Sequence, residues 1–240
     1  MTKVCHMTSA HGPEDIRIFH KECVSLADAG YDVYLVERGD SYDKKGVHIV
    51  GVGEIPSGRF RRMTKGAKMV YEKALDVDAE IYHLHDPELL PYGLKLKRKG
   101  KKVIFDSHEN VPAQIMGKEW IPLPLRRMVS TLYARYEAYA IRRLDAVVTV
   151  NQRIADRLRS VAQRVEIVTN YPRLDDIQFH DTPFSEREPI VCYAGGISKV
   201  RGEDIMIEAM RGVDGTLILA GNHQKMEIGG GAANSIYRDS

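Results

Sequence analysis

AEIYHLHDPELLPYGLKLKRKGKKVIFDSHE, residues 79–109, decides the fold. It opens on a β-rich apolar run, 79–85, and turns through Asp86, Pro87 and Glu88. A helical stretch follows over 87–99. A second apolar run, 102–106, leads into Ser107, His108 and Glu109. Strand, helix and strand in this order make a crossover unit, which parallel strands require. Ligands of open α/β sheets bind outside the carboxyl ends of the strands. Two neighbouring strands therefore deliver imidazole beside carboxylate to the edge where a substrate would sit. Strand alternation puts His83 and His85 on one face. Asp86 before Pro87-Glu88 reads as the cap of the next helix, and Asp106 reads as a turn former.

The same alternation runs outward in both directions. Strands are expected at 3–7, 32–37, 47–52, 145–150 and 165–170. Helices are expected at 15–29, 58–75, 122–143 and 152–161. In the first helix Ile16, Phe19, Cys23 and Leu26 have near-helical spacing and point inward, with Gly30 as its stop. Asp15 fits an N-cap, and Arg17 fits either a ligand contact or a solvated position. The class is α/β, with a Rossmann-like parallel sheet domain over residues 1–172. Three prolines within 171–189 and a loss of periodicity mark a linker at 173–189. A single β-α-β unit, 190–222, begins a second, incomplete Rossmann-like domain. The tail, 223–240, contains GGGAANS and little apolar material, and no packed structure is expected there.

Composition narrows the class further. Of the 240 residues, 43% are hydrophobic and 28% charged, as in an ordinary soluble globular chain. A net charge of +2 gives no argument for nucleic acid. Cys5, Cys23 and Cys192 show neither a disulfide framework nor metal spacing. Cys5 and Cys192 lie in apolar runs and read as small core residues. No signal peptide or membrane span is visible, so a reducing, cytoplasmic setting is expected. Gly51-Val52-Gly53 is not a dinucleotide motif, because Pro56 stands where a third glycine is needed and no ribose-binding acid follows.

Four segments together resemble the retaining glycosyltransferases of family 4. They are DIRIFHKECVSLADAGYDVYLV (15–36), HLHDPELLP (83–91), VIFDSHE (103–109) and VCYAGGISKVRGEDIMIEAM (191–210). The resemblance implies the GT-B architecture, two facing Rossmann-like domains. It also implies transfer of a hexose from a nucleotide sugar, UDP- or GDP-linked, to a glycan or lipid-linked acceptor with retention, without cofactor or metal.

By that resemblance His108 lies beside the donor sugar, with Glu109 orienting it. Asp15, Arg17, His85 and Asp86 fall on the acceptor side. The turn with Gly195, Gly196, Lys199 and Arg201 takes the donor diphosphate, as glycines allow close backbone approach and cations pair with phosphate. Gly196 stands where the family has arginine, and Arg201-Gly202 where it has Lys-Gly. The family's Glu-x7-Glu motif belongs downstream of Gly221 and is not reached, so a C-terminally truncated chain with weak or no activity is expected.

Three other readings stand beside this one. They are a non-catalytic or split subunit, a sugar-nucleotide epimerase, and a metal hydrolase using His83, His85 and His108. Two basic segments suit an anionic membrane face, or a plain solvated surface. One holds Arg59, Arg61, Arg62, Lys65 and Lys68. The other holds Arg126, Arg127, Arg135, Arg142 and Arg143 with Trp120, Tyr133, Tyr136 and Tyr139. The first of these explanations places the protein at the inner face of the membrane.

Overall fold

The computed structural model describes residues 1–118, 120–172, 182–222 and 235–238. The chain divides into two compact units, Met1–Leu174 and Asp175–Ser240. The first is built on an eight-stranded sheet of β1 (Lys3–Met7), β2 (Asp32–Glu37), β3 (Tyr42–Lys44), β4 (Val47–Gly51), β5 (Ile81–Leu84), β6 (Lys102–Ser107), β7 (Ala146–Thr149) and β8 (Val165–Ile167). Their order is β3-β4-β2-β1-β5-β6-β7-β8. The sheet is parallel except for β3, which runs antiparallel to β4 at the edge. This short polar strand was not legible as a strand, and its charges suit an unpaired edge.

The helices of the first unit are α1 (Val24–Asp28), α2 (Arg59–Arg61), α3 (Ala67–Val77), α4 (Leu90–Arg98), α5 (Val111–Met116), α6 (Leu123–Ile141) and α7 (Gln152–Arg159). One face of the sheet, with Cys5, Met7, Tyr82, Leu84, Val103 and Phe105, packs under α3, α4 and the end of α6. On the other face Val33, Leu35, Val47 and Ile49 pack against Ile18, Phe19 and Cys23. Burial on both faces is why the central strands read as continuous apolar runs rather than as alternating ones. Gly51 packs against backbone, since a Cβ there would stand 2.1 Å from the Gly39 carbonyl oxygen.

The first helix departs from the expected regular form. Residues Ile16–Cys23 form a π-helix, which runs into α1. The wider turn swings Arg17 and Ile18 inward and leaves Ile16 exposed at 68%, against the inward position its spacing suggested. Asp15 caps this helix as expected, accepting from the Arg17 and Ile18 backbone N–H groups at 2.9 and 3.0 Å.

The second unit contains β9 (Ile190–Ala194), β10 (Thr216–Ala220) and β11 (Ser235–Arg238), all parallel, with α8 (Glu203–Ala209) against them. Its core is small: Ile197, Leu217 and Leu219. Cys192 is exposed rather than buried as its apolar run suggested, because Ile190, Val191 and Cys192 lie where none of the described elements covers them. The tail, expected to lack packed structure, contributes β11. Its residues 223–234 and 239–240, and linker residues 173–181, lie outside the described residues.

Candidate functional site

The chemistry-bearing side chains of the first unit gather at the carboxyl ends of β1, β5 and β6, and Asp106 is their hub. Arg17 grips it bidentately, Nε to Oδ2 at 2.8 Å and Nη2 to Oδ1 at 2.9 Å. The third guanidinium nitrogen donates to the Val168 carbonyl at 3.0 Å. His85 Nδ1 lies 3.2 Å and His108 Nδ1 3.3 Å from Asp106 Oδ2. Burial works to raise the Asp106 pKa, but His108, His85 and Arg17 together hold it well below the ordinary carboxylate value. Burial likewise works to lower the His108 pKa, and Asp106 outweighs it, so the net shift is upward.

Two sequence readings are corrected here. Asp106 is not a turn former but the buried centre of a charge network. Arg17 is not solvated; it is 6% exposed and committed to Asp106. The π-helical turn causes both, because it aims Arg17 at the end of β6.

Asp86 also differs from its reading. It stands before the helical turn Pro87–Leu89, but its side chain caps nothing. Instead Oδ2 accepts from Thr8 Oγ1 at 2.9 Å and from the Ser9 and Ala10 backbone N–H groups at 2.6 and 3.1 Å. The loop after β1 is thus pinned across to the end of β5. His11, on that loop, lies 3.5 Å from Asp86 Oδ1 and 3.2 Å from Asp15 Oδ2. The hydrogen bond to Asp15 raises the His11 pKa and holds Asp15 far below its usual range.

Beneath the strand ends lies a second cluster. Parallel register sets His6 beside His83, and alternation puts His85 on the same face. Glu22 of the π-helix descends onto all three: its Oε2 is 3.6 Å from His83 Nδ1, 3.9 Å from His85 Nε2 and 4.0 Å from His6 Nδ1. His6 Nδ1 and His85 Nε2 are 2.9 Å apart. Burial drives the His6 pKa well down and that of His83 to about 3, and raises that of Glu22. Neither His6 nor Glu22 was picked out from sequence. Register between distant strands is not encoded locally, and Glu22 in HKEC looks like any solvated helix residue.

Above the hub opens a cleft of about 540 Å³. His108, His11, Asp86 and Ser107 line its floor, and Met63, Phe105, Ile115, Ile121, Val129 and Tyr133 form an apolar wall. Arg62, paired with Glu88 at 2.9 Å, and Lys118 supply cations. Glu109 lies at the exposed rim. Asp15, Arg17, His85, Asp86, His108 and Glu109 are therefore brought together as one constellation. His11 belongs with them. It went unnoticed because its loop showed no motif.

The second unit holds Gly195, Gly196, Lys199 and Arg201 in the turn after β9. Gly195 at φ 153° and Gly202 at φ 79° adopt backbone open to glycine. Gly196 does not. Lys199 and Arg201 are exposed. Glu203 and Asp204 occupy the first turn of α8, which works against an anion at that helix start.

Residues 17–171 match the model of Glycosyltransferase Family 4. The chain belongs to glycosyltransferase family 4. Solved structures agree in fold. Sucrose-phosphate synthase from Thermosynechococcus elongatus superposes with a TM-score of 0.69 at 15% identity, covering 91% of this chain and 62% of that one. The Anabaena protein HepE in complex with UDP-glucose gives a TM-score of 0.60 at 12% identity, covering 91% of this chain and 60% of that one. The chain thus spans about three-fifths of the length of these structures. No curated protein matches. The fold class of these family 4 domains, Rossmann-like and GT-B, is the one expected from sequence.

Proposed function

We propose that this family 4 chain takes part in retaining transfer of a hexose from a UDP- or GDP-sugar to a glycan or lipid-linked acceptor. In this reading the first unit is the acceptor-side domain. The observation that carries it is the His108–Asp106 pair on the floor of a cleft at the strand ends. Glycosyl transfer builds positive charge on the sugar ring, and fixed polar groups stabilise it best when they need no reorganisation. Asp106 lies 3.3 Å from one edge of the His108 ring, and the ring lines the cleft in which a sugar hydroxyl would sit. The apolar wall suits a sugar's non-polar face or a lipid linker. In the second unit, the turn at Gly195, Gly196, Lys199 and Arg201 takes the donor diphosphate through its exposed cations rather than through the start of α8.

We also propose peripheral contact with an anionic membrane. Leu125, Met128, Leu132 and Tyr136 are exposed on α6, with Trp120 and Phe60 exposed nearby in sequence to the basic residues Arg61, Arg62 and Lys118. Such an apolar and basic surface fits the interface of a bilayer. Among the described residues no helix is long and apolar enough to cross a membrane.

Saturation-transfer NMR with oligosaccharide acceptors and nucleotide sugars tests the main reading. Acceptor protons should receive saturation from the wild type and lose it in Val129→Trp, which fills the cleft. Equal transfer in both proteins would overturn it. Any transferred hexose should keep the donor's anomeric configuration.

A further inference from the structure

We propose that His6, Glu22, His83 and His85 form a buried site for a divalent transition metal, zinc above all. Their four ligand atoms lie within 4.8 Å of one another. They come from three elements, β1, the π-helix and the β5 strand end, so the spacing of His83 and His85 in the sequence does not announce His6 or Glu22. Of the four only His85 also lines the cleft; His6, Glu22 and His83 do not line it.

The donor set suits the ion. Imidazole nitrogen and carboxylate oxygen bind zinc at roughly 2.0–2.2 Å, and a tetrahedron of such bonds sets ligand atoms roughly 3.3–3.6 Å apart. The separations here bracket that value: 2.9 Å for His6 to His85, 3.6 Å for His83 to Glu22, 3.9 Å for His85 to Glu22 and 4.0 Å for His6 to Glu22. The remaining pairs lie within 4.8 Å of one another, so the ligands draw together by roughly an ångström to complete the tetrahedron.

The protein leaves polar atoms here unsatisfied. Of the four ligand groups, the Glu22 carboxylate is left bare, with both oxygens buried without a hydrogen bond, while His6 Nδ1 and His85 Nε2 face only each other at 2.9 Å. Arg17 Nη2 lies 3.1 Å from Glu22 Oε1 but is not aligned to donate. Buried polar groups are ordinarily paired, because leaving them bare is costly. A cation at the centre would engage the Glu22 carboxylate directly and leave His6 and His83 as neutral ligands.

The surroundings also match those of metal ligands. Metal-bound histidines usually give their second ring N–H to a carboxylate. His85 is placed to do so, with Nδ1 3.2 Å from Asp106 Oδ2. The same Asp106 oxygen faces His108 at 3.3 Å. An ion on His85 would therefore fix its tautomer, and through Asp106 the orientation of His108. All four ligands are protein side chains, which is the closed arrangement of a structural site. Its role is positioning, and no step of transfer runs through it.

The untagged 240-residue chain, stripped with chelator and then dialysed against zinc, tests the proposal by elemental analysis. One ion per chain is expected, with a rise in Tm. Replacing zinc with cobalt should give the intense visible absorption of a four-coordinate site, a readout that needs no variant. Glu22→Gln should weaken zinc binding by more than tenfold. Asp106→Asn, acting through His85, should cost about 10–100-fold. Sub-stoichiometric zinc without the cobalt bands would overturn the proposal, as would zinc binding unchanged in a folded Glu22→Gln, which would place the ion elsewhere.

Discussion

Arg17→Met isolates the network on which the site is built. The substitution keeps side-chain bulk and removes the guanidinium. Two charge-assisted hydrogen bonds to Asp106, at 2.8 and 2.9 Å, disappear, together with one to the Val168 carbonyl at 3.0 Å. Breaking one side of a buried ion pair costs about 3–5 kcal/mol, because the other charge stays buried. The lost carbonyl contact adds about 1 kcal/mol. His85 and His108 still face Asp106 and offset part of this, so a loss of about 3–5 kcal/mol is expected. Against a typical domain stability of about 5–15 kcal/mol, that is a large fraction. Urea unfolding followed by far-UV circular dichroism measures it. Arg17→Lys should fall between, since an ammonium cannot reproduce the planar fork. A loss below about 1 kcal/mol in Arg17→Met would refute the view of Asp106 as a buried charge that depends on Arg17.

Three further outcomes follow from particular residues. Burial, opposed in part by the Glu14 backbone, holds Glu37 at about 7, so the folded protein keeps a proton that the unfolded chain releases near 4.5. Stability from this group therefore falls as pH rises between those values, and urea midpoints across the window should show the fall in wild type and not in Glu37→Gln. Gly93→Ala would place a Cβ 2.5 Å from Leu84 Cδ1 and 3.4 Å from Val103 Cγ1. Overpacking costs about 1–3 kcal/mol against about 1 kcal/mol of helix propensity gained, so calorimetry should show a lowered Tm, and a raised one would deny the close seat of α4 on the sheet. Asp86→Ala should speed hydrogen exchange at the Ser9 and Ala10 amides while β5 stays protected; unchanged exchange at those two amides would mean that the loop is held by something else.

The sheet was largely legible in the sequence because its strands are buried on both faces, and hydrophobic runs of that length between helical stretches have few other readings. What escaped were elements whose residues carry no such signal. β3 is three polar residues, and α5 is six residues with Pro112 in its first turn. The π-helix escaped because one extra residue per turn leaves composition untouched while it reassigns Ile16, Arg17 and Ile18 to new faces. The strand-end histidines and acids were visible as types but not as partners. His83 and His85 could be placed on one face by alternation. That His6 joins them is a matter of strand register, and that Glu22 closes over them depends on the π turn. Asp86 and Asp106 looked like local cap and turn residues, yet both reach across more than seventy residues, to the loop after β1 and to Arg17.

In the proposed function His108 stands at the floor of a sugar-binding cleft. Chain labelled with carbon-13 in its nine histidines lets NMR follow each ring as nucleotide sugars and glycan acceptors are added. Shifts are expected in the His108 and His11 signals, none in that of exposed His48 on the remote β4, with a His108 titration midpoint above the ordinary histidine value that drops in Asp106→Asn. Ligand-induced shifts that spare His108, with binding established by saturation transfer, would contradict the proposed function.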